Sequence, residues 1–248
     1  MKKIILFIFS IFVSSFVIGQ TKKTEHKLFE FTEINDSLEL YKLVDNLNSE
    51  FRNKIISIAK IKNPDINIIP APKTKNRFFP GIIGYWKDDN LLSLMFFEQA
   101  PPPIKEYLTK FAGNEIRAKE LYGFQFFGYC IVHELGHWLE VQFKEKIDYN
   151  YDGEYFANQV AVLWWKKTGR QKELETLVNM MKQGLKNSPL SLPENTDLKK
   201  YMKENYKTMD PRDYNAIQCK QVIEIYEDKS LPDFDTFIAN FFQKLVDK

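Results

Sequence analysis

The sequence predicts an α+β domain: one amphipathic helix, a small sheet, then helices to the C-terminus. Three observations carry this. Residues 37–60, "SLELYKLVDNLNSEFRNKIISIAK", put apolar side chains at 40, 43, 44, 47, 51, 55 and 58, the stripe of one helix face. Between residues 65 and 103 the pattern shortens to alternating or continuous apolar runs punctuated by Pro, Gly and the turn "KDDN". Beyond Pro103 the helical period returns and stays.

The N-terminus reads as a leader. In "MKKIILFIFSIFVSSFVIGQ" two lysines precede an apolar run from 4 to 18, with Val17 and Gly19 small enough to flank a cleavage after Gly19. Fifteen residues make about 22 Å of helix, short of a hydrocarbon core of roughly 30 Å. The expectation is a signal peptide over 1–19, export to the periplasm or the medium, and no stable membrane insertion afterwards. Residues 20–36 are polar and expected to be a loose segment. The 248-residue chain is 44% hydrophobic with 21 Phe and 12 Tyr, enough to bury a core. Lys2 and Lys3 account for the whole formal charge of +2, so the remainder carries no basic surplus for nucleic acid.

The elements follow in order. A cap at Asp36 or Ser37 starts the first helix. "DINIIPAP" over 65–72 reads as a strand closed by prolines, and "GIIGYWKDDNLLSLMFFEQAPPP" as two strands around a turn, with the triple proline a rigid exit. A long helix is expected over 121–144 and a second over 154–167, ending at Gly169. Further helical segments fall near 170–186, 197–207, 212–228 and 233–246. Residues 37–169 form the expected core, and 170–248 a helical region of the same domain or a subdomain.

The long helix carries "CIVHELGHWLE". His133 and His137 are four residues apart, about 40° around the helix, so both project from one face and can share a Zn²⁺ ion. Glu134 lies beside them, in reach of a water in the ion's open position, as a general base. Gly136 leaves space above the helix. Three protein ligands are expected. A metzincin-type third histidine is excluded, because 140 and 143 are Glu and Phe, and the remaining histidine, His26, is in the loose segment. The best third ligand is Glu154, which a nine-residue loop lets return antiparallel; Asp148, Asp152 and, least favourably placed, Glu140 are the alternatives. Asn158, one turn past Glu154, can accept a hydrogen bond from a ligand histidine.

This pattern resembles the gluzincin metallopeptidases, with His133, Glu134, His137, Glu154 and Asn158 as matching residues. "HELGH" and "EYFAN" also look like the ImmA/IrrE-type branch of zinc proteases, where a helix and a small sheet with a Gly-Tyr turn precede the metal helix, as "IIGYWKDDNLLSLMFF" does here. The likeness covers 37–167 in layout and about 25 residues in motif. It implies a zincin-like fold with a small, mostly antiparallel sheet on the metal helix, one zinc per chain, and hydrolysis of a peptide or protein substrate.

An oxyanion donor is also needed. Tyr201, Tyr206, Arg212 and Tyr214 are the candidates, with Tyr214 preferred because the turn at Asp210-Pro211 can bring it over the cleft. "LLSLMFFE" is the expected edge for an extended substrate, and the aromatics of "FQFFGYC" and "VLWW" are expected to be core. Cys130 and Cys219 are either a disulfide or two buried thiols. The competing reading is a catalytically inactive zincin-like binding protein that keeps the fold.

Overall fold

The computed structural model describes residues 36–62, 64, 66–67, 70–76, 83–141 and 150–246. The leader expected over 1–19 and the loose segment expected up to 35 lie outside them, as do Asp148 and His26.

Helix α1 (Ser37–Lys62) buries Leu40, Val44, Phe51, Ile55 and Ile58, the stripe its spacing demands. Asp36 caps it, its carboxylate accepting from the Leu38 N–H at 3.0 Å. Three four-residue strands follow: β1 (Lys73–Asn76), β2 (Ile83–Trp86) and β3 (Leu91–Leu94). β2 and β3 form the hairpin expected around Lys87–Asn90, with Asn90 at φ 45° closing the turn. The first strand falls just past the segment 65–72, whose described residues belong to no strand.

The sheet corrects two expectations. It is mixed, because β1 runs parallel to β3 while β2 runs antiparallel. The order β1-β3-β2 puts β3 in the centre, so "LLSLMFFE" offers no free edge to a substrate. β3 is buried at all four positions, which is why its apolar run is continuous rather than alternating. β2 is the edge that faces the motif helix.

Pro102 and Pro103 open helix α2 (Pro102–Ala112), where missing N–H groups cost nothing. Gly113, at φ 95°, ends it in the left-handed conformation. Helix α3 (Glu115–Tyr122) then runs into a π-helical segment (Gly123–Tyr129) and on into α4 (Cys130–Val141). The long helix thus starts earlier than its apolar pattern suggested and carries a wide turn just before the motif. After residue 149 come α5 (Tyr151–Lys167), α6 (Gln171–Asn187), α7 (Leu198–Asn205), α8 (Pro211–Glu227) and α9 (Phe234–Val246). No described helix is long and apolar enough to cross a membrane.

The core is an aromatic cluster behind the motif helix. Phe51 meets Trp138, Trp164 and Phe234 edge-on at 6.4, 5.1 and 6.0 Å between centroids, tying α1, α4, α5 and α9 together. Trp138 is next to His137 in sequence yet points away from it, so burial of the tryptophan orients the histidine face.

Candidate metal centre

Helix α5 is placed by its own start. Asn150 caps it by accepting from the N–H groups of Asp152 and Gly153 at 3.0 and 3.1 Å. Glu154 therefore sits in the first turn, where the helix dipole favours a carboxylate. Helices α4 and α5 meet at Gly136 and Ala157. A Cβ on Gly136 would lie 2.8 Å from Ala157 Cα and 3.1 Å from its Cβ. The space expected above Gly136 is filled by α5, and this close approach carries Glu154 and Asn158 to the histidines. We expect Gly136→Ala to cost about 1–3 kcal/mol and to lower Tm by roughly 3–10 °C while weakening metal binding. An unchanged Tm in a calorimetric scan would show that this contact does not position the site.

His133 Nε2 lies 3.2 Å and His137 Nε2 3.5 Å from Glu154 Oε2. The three side chains are buried and present one ligand atom each within 4.8 Å of one another. Donors held about 2.0–2.1 Å from a tetrahedral ion stand about 3.4 Å apart, so the set fits one such ion. The two Nε2 atoms face the same Glu154 oxygen, with the rings crossed at 87°.

The hydrogen-bond network fixes the tautomer of His133. Glu154 Oε2, a carboxylate oxygen, accepts from Gln218 Nε2 at 2.8 Å. Gln218 Oε1 must then accept, and it does, from Asn158 Nδ2 at 2.6 Å. Gln221 Oε1 accepts from the same nitrogen at 2.9 Å. Asn158 Oδ1 is left as an acceptor for the Tyr129 hydroxyl at 3.1 Å and for His133 Nδ1 at 2.9 Å. With Nδ1 tied to Asn158, Nε2 is the ring atom that faces the Glu154 carboxylate oxygen, at 3.2 Å, the placement a metal ligand needs. His137 is backed by Glu140, whose Oε2 lies 3.6 Å from Nδ1.

The electrostatics agree. Burial opposes a charge on Glu154, but His137 and His133 outweigh it and hold the carboxyl well below the usual carboxylate range. Burial likewise opposes a charge on His137, and the carboxylates of Glu154 and Glu140 overcome it and push its pKa up. Both directions mark a place where positive charge is stabilised. Replacing Asn158 by Ala should weaken metal affinity about 10–100-fold by freeing the His133 ring; competition with a chelating dye measures this, and an unchanged affinity removes Asn158 from the network's role.

Of the other candidate ligands, Asp152 is paired with Lys199 at 2.7 Å on the surface, and Glu140 stands behind His137. Glu134 is half-buried, and the Tyr85 N–H of β2 donates to its Oε2 at 2.8 Å.

The chain matches no protein-family model, no curated protein and no solved structure. His133 and Glu134 open onto a cavity of ≈ 280 Å³ that Tyr214 also lines. Asp210 caps α8 and Pro211 opens it, which brings Tyr214 to the cavity as its place after that turn suggested. Burial, then the Glu154 carboxylate, push the Tyr214 hydroxyl well above its ordinary range, so it keeps its proton. Tyr206 packs edge-on against it at 6.1 Å, and Arg212 is exposed and bound to Asp210. Tyr201 does not line the cavity.

Sequence reasoning missed Gln218, Gln221, Tyr129 and Gln125. The α8 glutamines lie one turn apart only if 211–227 is helical, and no local motif marks them. Tyr129 is legible only as one of the core aromatics, which it is, and nothing in the sequence marks Gln125. Cys130 and Cys219 are free thiols, which decides between the two expectations.

Proposed function

We propose that the chain is an exported zinc metallopeptidase of gluzincin type with a zincin-like fold, holding one Zn²⁺ through His133, His137 and Glu154. The observation that carries the reading is a buried two-histidine, one-carboxylate donor set beside a carboxylate that faces a cavity. Bound there, zinc would supply Lewis acidity and acidify a water in its open position.

The residues divide the remaining work. Glu134 is anchored through Oε2 by the Tyr85 N–H, so Oε1 is the atom that accepts a proton from the attacking water. It returns that proton to the amine nitrogen as the carbon–nitrogen bond breaks. Tyr214 donates to the carbonyl oxygen as negative charge develops on it. Asn158 and Glu140 hold the two imidazoles in register. Among the described residues the outer edge of β2, whose Tyr85 N–H is held by Glu134, is the strand edge nearest the cavity.

One observation favours the alternative of an inactive, zincin-like binding protein: the Tyr214 hydroxyl already interacts with Glu154. Incubation of the zinc-loaded mature chain with a library of unfolded peptides, read by mass spectrometry, separates the two. Chelator-sensitive cleavage supports the peptidase; intact peptides with zinc bound support the binding protein.

A further inference from the structure

The cavity holds polar groups that neither the metal donors nor Glu134 require. Gln125 Nε2 donates to Asn215 Oδ1 at 3.2 Å, and Asn215 Nδ2 donates to the Tyr107 hydroxyl at 2.9 Å. All three residues line the cavity, and Gln125 is 5% exposed. Its Oε1 has no hydrogen-bond partner among the described residues. The Tyr107 hydroxyl accepts from Asn215 and donates to none of them. The chain of bonds thus leaves an acceptor at the Gln125 end, beside that amide's second N–H, and a donor at the Tyr107 end.

This pairing survives reversal of the amides. If Asn215 Nδ2 donates to Gln125 Oε1 instead, Asn215 Oδ1 accepts from Tyr107, leaving a Gln125 N–H donor and a Tyr107 lone-pair acceptor. At least one donor and one acceptor remain in either case. Around them the wall is apolar, built from Ile104, Leu108, Phe126, Met181 and Val222. No Lys, Arg or Asp lines the cavity, and its one carboxylate, Glu134, stands beside the metal donors, so a charged ligand group next to Gln125 and Tyr107 would be desolvated without an adjacent counter-ion.

We infer that this part of the cavity binds a neutral carboxamide of the substrate, its N–H and C=O read together by Gln125 and Tyr107 through the Asn215 bridge. A carboxamide has the one-donor, one-acceptor edge that complements both arrangements; a carboxylate, an ammonium or a hydrocarbon does not. Burial pushes the Tyr107 hydroxyl up, so it stays protonated and neutral. Gln125 lies two turns before His133 on one helical run, roughly 10–12 Å away. That is within reach of a substrate residue about three positions from the reacting bond, at up to about 3.6 Å per residue. The π turn between them is the kind of helix defect found at functional sites. This inference deepens the peptidase reading and names the group its cavity selects. The carboxamide has two sources, a Gln or Asn side chain or a peptide bond of the main chain.

The test uses the zinc-loaded mature chain carrying Glu134→Gln, with pentanamide, its isostere 2-hexanone and pentylammonium as probes, followed by ligand-observed NMR. Pentanamide should bind about 3–10-fold tighter than the ketone, the worth of one neutral hydrogen bond, and pentylammonium more weakly still. Of Gln125→Leu and Tyr107→Phe, one should collapse the amide-to-ketone ratio toward one and the other should weaken both ligands. Which does which reports the amide orientation, and either variant suffices if the other fails to fold. Equal binding of amide and ketone, or a ratio that neither variant moves, overturns the inference. In peptides, a preference for Gln or Asn over Met and Glu at one position assigns the amide to a side chain. Indifference there, with loss of binding on N-methylation of one bond, assigns it to the main chain. Amide selectivity without hydrolysis of any peptide would leave this inference standing and remove the peptidase reading.

Discussion

Elemental analysis of the mature chain should find one zinc per chain, and His137→Ala should remove it. The donor set explains the size of the effect. His133 and His137 converge on a carboxylate oxygen at 3.2 and 3.5 Å inside a buried site, with His133 Nδ1 already held by Asn158. Little reorganisation is left for the ion to drive. At a free zinc concentration 1,000 times Kd, binding adds about 4 kcal/mol to folding. For a domain of this size that is a fall in Tm on the order of 10 °C when the metal is chelated. Affinity should tighten as pH rises, because the neighbouring carboxylates raise the His137 pKa and the ion must displace that proton. A chain that takes up no zinc even on reconstitution, with Tm indifferent to chelator, would return both histidines to a structural role around a shared proton.

Turnover should fall by about 10²–10⁴ in Glu134→Gln, with zinc content unchanged. The substitution is nearly isosteric and keeps an oxygen to accept from the Tyr85 N–H, so the carboxamide can stay where the carboxylate was. What it removes is basicity. Because Glu134 stands on the cavity side of the donor set and is not one of its three members, the metal and the fold should be untouched. Measuring kcat and zinc stoichiometry on the same preparation separates loss of the base from loss of the ion. Full activity in this variant would remove Glu134 from the chemistry.

Much of the site is local and was legible. The i, i+4 spacing of His133 and His137 fixes a shared face once the segment is helical, and the same periodicity placed Asn158 one turn past Glu154. The stripe of α1 and the hairpin turn at Lys87–Asn90 follow from patterns a few residues long. The α+β class follows from the order of those patterns. Less legible was anything that depends on what packs against what. The run at β3 reads equally as an edge or a central strand, because burial on both faces produces the same apolar sequence as an apolar edge would. Gly136 reads as space and is a contact.

By itself, then, the sequence determined which residues could chelate and which helices carry them, because helical periodicity is set by the backbone and acts over one or two turns. Only the tertiary structure decided that Glu154, rather than Asp152 or Glu140, meets the histidines. It also decided that Tyr214 reaches the cavity while Arg212 turns away, and that Gln218 and Gln221 from α8 orient Asn158. The glutamine contacts join residues 60 or more positions apart, and the Glu154–histidine contacts bridge two helices. Such contacts are selected by close packing of whole helices at Gly136, Ala157 and the aromatic core, and no short stretch of the chain encodes that packing alone.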